Sequence, residues 1–263
     1  MKYAITHRVR LAAASPVWEH HCELRLAPRA TPYQTVGEVT VTVEPTAAVR
    51  AHIDGFGNAV HAFTLMAPHP ETRVTLRAEV ETTLANPFDF ATVEPAAERA
   101  WIADALHGEP RLWDFLLHRS TATPALAALD IAPPRRDPAR ALLDAIQAVV
   151  DWSADAPDAV ARAHRLISLA RAWGTPARFV RGYRDPGYTE DDDAEAMHAW
   201  AEILVPGAGW RGLDPETGLV INDTYVTIAC GRDALDCPPL RWSCKGGDDA
   251  VEEVSTLEVR GQQ

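Results

Sequence analysis

A histidine and an aspartate sixteen residues apart, His198 and Asp214, carry the most legible chemistry in this chain. They lie in MHAWAEILVPGAGWRGLDPET, residues 197–217. An imidazole oriented by a carboxylate is the base half of a nucleophilic triad, because the carboxylate fixes the tautomer and leaves the other ring nitrogen to accept a proton. The spacing predicts how the two could meet. His198, Trp200, Ile203 and Val205 read as an apolar strand, Pro206, Gly207 and Gly209 as a turn, and a second short strand ends at Asp214, so a hairpin would bring both residues to one end. No P-loop, G-x-G-x-x-G or H-E-x-x-H occurs, so no cofactor is expected. Metal is not expected either. Cys230, Cys237 and Cys244 are spaced seven and seven apart, unlike C-x-x-C pairs, and His7, His20, His21, His52, His61 and His69 follow no ligand pattern.

The elements that must hold such a pair read as α+β. Residues 1 to about 84 look all-β, with alternation in YAITHRVRL, in VGEVTVTVEP (36–45) and in RVTLRAEVETTL (73–84). Ser15-Pro16, Pro28, Pro32, DGFGN (54–58) and Pro68-His69-Pro70 punctuate them, which suggests a β-sandwich over 1–86. Residues 87–136 read as a helical connector with helices near 94–106 and 111–118. Within 137–263, Asp137-Pro138 predicts the start of a helix over 138–151, and a second, core helix runs from about Pro157 to Gly174. Strands at 177–184, at the hairpin, at 224–231 and at 251–260 are expected to form one antiparallel sheet on that helix.

The totals exclude several classes of partner. The chain has 263 residues, 47% hydrophobic and 24% charged, which suffices for a large core. A formal charge of −12 argues against nucleic acid and against an anionic membrane. Six of the eleven residues 185–195 are acidic and read as a solvated loop. No apolar run is long enough for a membrane helix and MKYAITHRVRL is no signal h-region, so a cytoplasmic setting is expected.

RLISLARAWGTPARFVRGY (165–183), HAWAEILVPGAGWRGLDPETG (198–218) and ACGRDALDCPPLR (229–241) resemble the core of bacterial transglutaminase-like proteins, members of the papain-like thiol superfamily. ITHRVRL, the SPV turn, LRLAPR, DGFGN and PH resemble that family's β-rich N-terminal domain. The resemblance implies a catalytic cysteine opening the core helix, with His198 and Asp214 completing the triad. Matched through Ala163-His164 and the L-A-R-A-x-G-x-P-A-R that follows, the cysteine position falls on Ala159. Pro157, Val160 and Ala161 also depart from the family's usual residues there, and the preceding loop is short, which speaks for natural loss of the nucleophile.

Three readings follow. In the first, the chain is a pseudoenzyme, a binding or scaffolding module for a peptide or hetero-partner protein; the resemblance implies such a partner, since relatives are encoded beside other proteins. In the second, His198 and Asp214 still do acid–base chemistry without a thiol, such as hydrolysis or cyclisation. In the third, a relocated thiol serves, Cys237 before Cys230 and Cys244, because the family's stretch at Gly231–Pro239 passes near the cleft.

Overall fold

The computed structural model describes residues 1–185, 197–247 and 251–262, and two antiparallel sheets dominate it. The acid-rich stretch read as a solvated loop lies outside the described residues except for Asp185.

The first sheet is built on one long strand, β1 (Lys2–Leu24). Its first half lies between β5 (His69–Thr82) and β12 (Val251–Gln262), and its second half between β4 (Ala59–Leu65) and β11 (Leu240–Gly246). β2 (Gln34–Glu44) flanks β5, and β3 (Arg50–Ile53) flanks β4. The break expected at Ser15-Pro16 is a bend within the strand: pairing with β5 shifts register between Ala12 and Val17, where a residue without an N–H costs the ladder little. Alternate residues Tyr3, Ile5, Val9 and Leu11 are buried, as the period-2 pattern requires.

The strand expected over 251–260 as the end of the core sheet is a correction. β12 pairs with β1 from Lys2↔Gln262 to Ala13↔Val251, and β11 pairs with β1 as well, so the tail of the chain closes the first sheet. Alternation reveals a strand but not its neighbour.

Helices α1 (Pro95–Gly108) and α2 (Leu112–Leu117) fall where periodicity puts them. α3 (Leu142–Gln147) is much shorter than the helix expected over 138–151. Asp137 instead accepts the Ala139 amide in a turn, and the buried Glu98 of α1 accepts the Leu142 amide at 2.8 Å while pairing with Arg136. A carboxylate from another helix thus satisfies the start of α3, a tertiary contact that local propensity does not register. α4 (Ala159–Ala172) opens behind Asp158, which accepts the Ala161 amide at 2.8 Å, and the chain leaves it through Gly174 at φ +81°.

The second sheet has the order β10-β6-β7-β8-β9, from β6 (Ala177–Arg184), β7 (His198–Val205), β8 (Gly209–Asp214), β9 (Leu219–Val220) and β10 (Tyr225–Gly231). Ala177, Phe179, Ala199, Ala201 and Ile203 join Ala163, Leu166, Ile167 and Ala170 of α4 in the main core. Val180, Trp200, Ile221, Tyr225 and Cys230 form a second, smaller cluster.

Two side-chain amides join the sheets. Gln34 donates to the Thr227 carbonyl at 2.7 Å and accepts its amide at 2.9 Å, and Asn58 donates to and accepts from the Cys230 backbone, both at 2.8 Å. Each carboxamide thereby pairs a residue of β10 as a neighbouring strand would. Asp54 sets Asn58 in place by accepting the Phe56 and Asn58 amides, which explains the DGFGN run. Asn58 has no exposed surface, so Asn58→Ala leaves a buried N–H and C=O unpaired. The expected outcome is a loss of about 2–4 kcal/mol in urea unfolding, against less than about 0.5 for an exposed control such as Glu38→Ala.

Candidate functional site

β7 and β8 form the expected hairpin, paired from Ala201↔Leu213 to Val205↔Gly209, and His198 and Asp214 meet at its open end. His198 Nε2 lies 2.7 Å from Asp214 Oδ2. Asp214 is fully buried and satisfied from every side: the Tyr225 hydroxyl donates to Oδ2 at 2.8 Å, and Oδ1 accepts the amides of Glu216 at 2.9 Å and Thr217 at 3.4 Å. Burial alone would raise its carboxyl. The bond and charge of His198, the Tyr225 hydroxyl and the Glu216 amide outweigh it and hold the group down at about 2. Burial pushes the Tyr225 phenol the other way, up to about 12, so it stays a donor.

The His198 ring rests near two aromatic rings, Trp200 at 6.5 Å and Tyr225 at 6.1 Å between centroids. Trp200 is wholly buried, and glycines make its slot. A Cβ at Gly182 would lie 2.3 Å from the indole and 2.2 Å from the Val226 carbonyl, and one at Gly212 would lie 2.4 Å from Ile221. No residue but glycine fits beneath the indole at position 182.

The other ring nitrogen, Nδ1, faces Glu216 Oε2 at 3.4 Å. Nothing in the spacing points to Glu216 or Tyr225; the first lies in the turn after Asp214 and the second on a strand two places away in the sheet. One ligand atom from each of His198, Asp214 and Glu216 falls within 4.8 Å of the others. Because Nε2 and Asp214 already satisfy each other, only Nδ1 and Glu216 could turn to a cation, fewer than the three protein ligands of a catalytic zinc site.

Ala159, the position that the resemblance implies for the nucleophile, is the first residue of α4 and is buried. α4 runs back along β6 for about 20 Å at about 1.5 Å per residue, and β6 advances about 17 Å from Ala177 to Gly182, the residue paired with His198. The mouth of the helix and the histidine therefore lie at the same end of the sheet. Cys237 is fully buried, its Sγ directed to the Asp233 carbonyl at 3.5 Å and its thiol pushed up by burial. Cys230 Sγ accepts from Arg29 Nη1 at 2.5 Å, and Cys22 and Cys244 lie on β1 and β11. Among the described residues no hydrogen bond joins any of these sulfurs to His198.

Known proteins share this architecture. Residues 3–81 match the bacterial transglutaminase-like N-terminal region, and residues 130–215 match the transglutaminase-like superfamily, a span that contains Ala159, His198 and Asp214. An uncharacterised protein of Mycobacterium leprae is 29% identical over 96% of this chain and 98% of its own length. One from Mycobacterium tuberculosis is 26% identical over 91% and 86%. A solved structure, a candidate cysteine protease from Cytophaga hutchinsonii, aligns with a TM-score of 0.60 at 17% identity over 99% of this chain and 89% of that one, a likeness of fold.

The depressed Asp214 carboxyl makes a prediction about acid. Its folded value of about 2 lies below the ordinary 3.8, so its contribution is complete above about pH 4 and fades as pH falls toward 2. That amounts to roughly 2 kcal/mol of acid-sensitive stability. Asp214→Asn is expected to lose this part of the dependence, so that urea midpoints at about pH 6 and about pH 2.5 differ less than in the wild type.

Proposed function

The chain belongs to the transglutaminase-like superfamily, and from that membership we propose that it uses the fold as a binding module for a peptide or partner protein, without thiol acyl transfer. What faces His198 carries this reading. One ring nitrogen is taken by Asp214 and the other looks at Glu216, while the helix at the same end of the sheet begins with the methyl group of Ala159. Acyl transfer by the family's thiol requires a lone pair at the helix mouth and a base to take its proton. Ala159 has no lone pair, and Glu216, 3.4 Å from Nδ1, stands where a nucleophile would approach that nitrogen. The His198–Asp214 pair then serves the fold, closing the end of the hairpin beside the Trp200 slot. A net charge of −12, with Glu216 at the mouth, favours a neutral or basic peptide over an acidic one. Four unpaired cysteines support a cytoplasmic setting.

A second reading rests on Glu216 itself. Its side chain is 43% exposed, so a swing away from the ring would free Nδ1 and leave an imidazole fixed by Asp214 as a general base toward water. Neither reading uses Cys237.

Ala159→Cys tests the placement of the lost nucleophile. The introduced thiol is expected to react with iodoacetamide at neutral pH at least about tenfold faster than the four native thiols, and to lose that advantage in the His198→Ala background. Equal reactivity with and without His198 would place the lost nucleophile elsewhere. For the function, wild type and His198→Ala are compared in the native host by affinity capture and by peptide and metabolite profiling. Unchanged partners and products support the binding module; a product that vanishes with the histidine overturns it in favour of the general base.

A further inference from the structure

The first sheet is bent at β1, and its two end strands lie on different arms of the bend. β2 flanks β5 beside the first half of β1, while β3 flanks β4 beside the second half. Both strands nonetheless line one cleft of about 320 Å3. β3 and β4 supply one wall: Ala51 pairs with His61 and Ile53 with Ala59, so all four side chains share a face. β2 supplies the other through Val36 and Val39. Residues three apart on a regular strand point to opposite faces, and it is the register shift between Val36 and Val39 that turns both to the cleft.

The walls are hydrocarbon apart from two imidazoles, His52 and His61. Among the described residues no carboxylate belongs to the lining, although the chain has 37 acidic residues. Asp54, next to Ile53, is held elsewhere by Arg25 and by the amides of Phe56 and Asn58. His61 is not satisfied by the protein. Its Nδ1 is buried and has no hydrogen-bond partner among the described residues. Burial lowers the pKa of the ring and so keeps it neutral, and with its proton on Nδ1 it has one donor to give. Buried polar atoms nearly always have a partner, because leaving one unmade is costly. Ile53 is 67% exposed, which leaves apolar surface at the same cleft uncovered.

We propose that this cleft binds a small monocarboxylic acid with a hydrocarbon tail, its carboxylate accepting from His61 Nδ1 and its tail lying between β2 and β3. The volume is at the low end of the roughly 300–1,000 Å3 of small-molecule pockets, which suits a single short tail. The head group is chosen by charge. An ammonium would meet imidazoles and no anion, and a hydroxyl would satisfy Nδ1 with a neutral bond, whereas a carboxylate accepts a charge-assisted bond about twice as strong. The tail covers Val36, Val39 and Ile53, whose burial supplies the rest of the affinity. This site lies on the first sheet and uses neither His198 nor Asp214, so it stands or falls apart from the binding proposed above.

Calorimetric titration of the full chain with sodium octanoate tests the cleft. Saturable binding of one equivalent is expected, with octan-1-ol at least about fivefold weaker and octylammonium weaker still. Ala51→Trp, at an exposed position on the cleft wall, fills the space and should abolish the binding. His61→Leu should weaken octanoate at least about tenfold and bring it level with octan-1-ol. Wild-type protein that does not bind octanoate saturably, or binding that Ala51→Trp leaves unchanged, overturns the site. A His61→Leu protein that still prefers octanoate to octan-1-ol overturns the place of the carboxylate at Nδ1. Should His61→Leu fail to fold by circular dichroism, Ala51→Trp decides alone.

Discussion

A carboxylate with no exposed surface must have all its charge answered by protein, and Asp214 imposes that requirement on the whole candidate site. Its partners come from three places: His198 at the head of β7, Tyr225 at the head of β10, and the amides of the turn that follows it. β10 and β7 are not neighbours, since β6 lies between them. The Tyr225 bond therefore reaches past a strand, and Gly182 on β6, which leaves room for Trp200, is what the intervening strand contributes. Histidine, tyrosine, tryptophan and glycine form one dependent set around one buried charge.

β10 is in turn held from outside its own sheet. Gln34 and Asn58 pair with its backbone through their carboxamides, and Arg29 adds a backbone bond to Thr227. The first sheet, closed by the tail of the chain through β11 and β12, thus bears on the edge of the second only a few residues from Tyr225. The two sheets are coupled in their order along the chain as well: β1, the first strand, is completed by the last one.

Thiol acyl transfer depends on a sulfur at a helix N-terminus beside an imidazole, because helix and base together lower the cost of forming the thiolate. The helix, its Asp158 cap and the imidazole are all present, and the sulfur is not at Ala159. Glu216 also approaches the nitrogen that such a sulfur would address. The native thiols sit instead where burial opposes their ionisation, as at Cys237, or beside histidines of the other sheet, as at Cys22.

The α+β class, the strand alternation of the first eighty residues, the core helix ending at Gly174 and the hairpin that joins His198 to Asp214 are legible in the chain before any contact is known. Each of these rests on local periodicity or on turn chemistry, which the chain carries residue by residue. Tertiary contacts alone set that residues 251–262 complete the first sheet, that Glu98 satisfies the start of a shortened α3, that Tyr225 and Glu216 complete the surroundings of His198, and that His69 meets His20 beside Cys22. These are pairings between segments far apart in sequence. A strand's alternation records which face is buried but not which strand lies beside it, and a carboxylate's position in the chain does not record which charge or amide will need it.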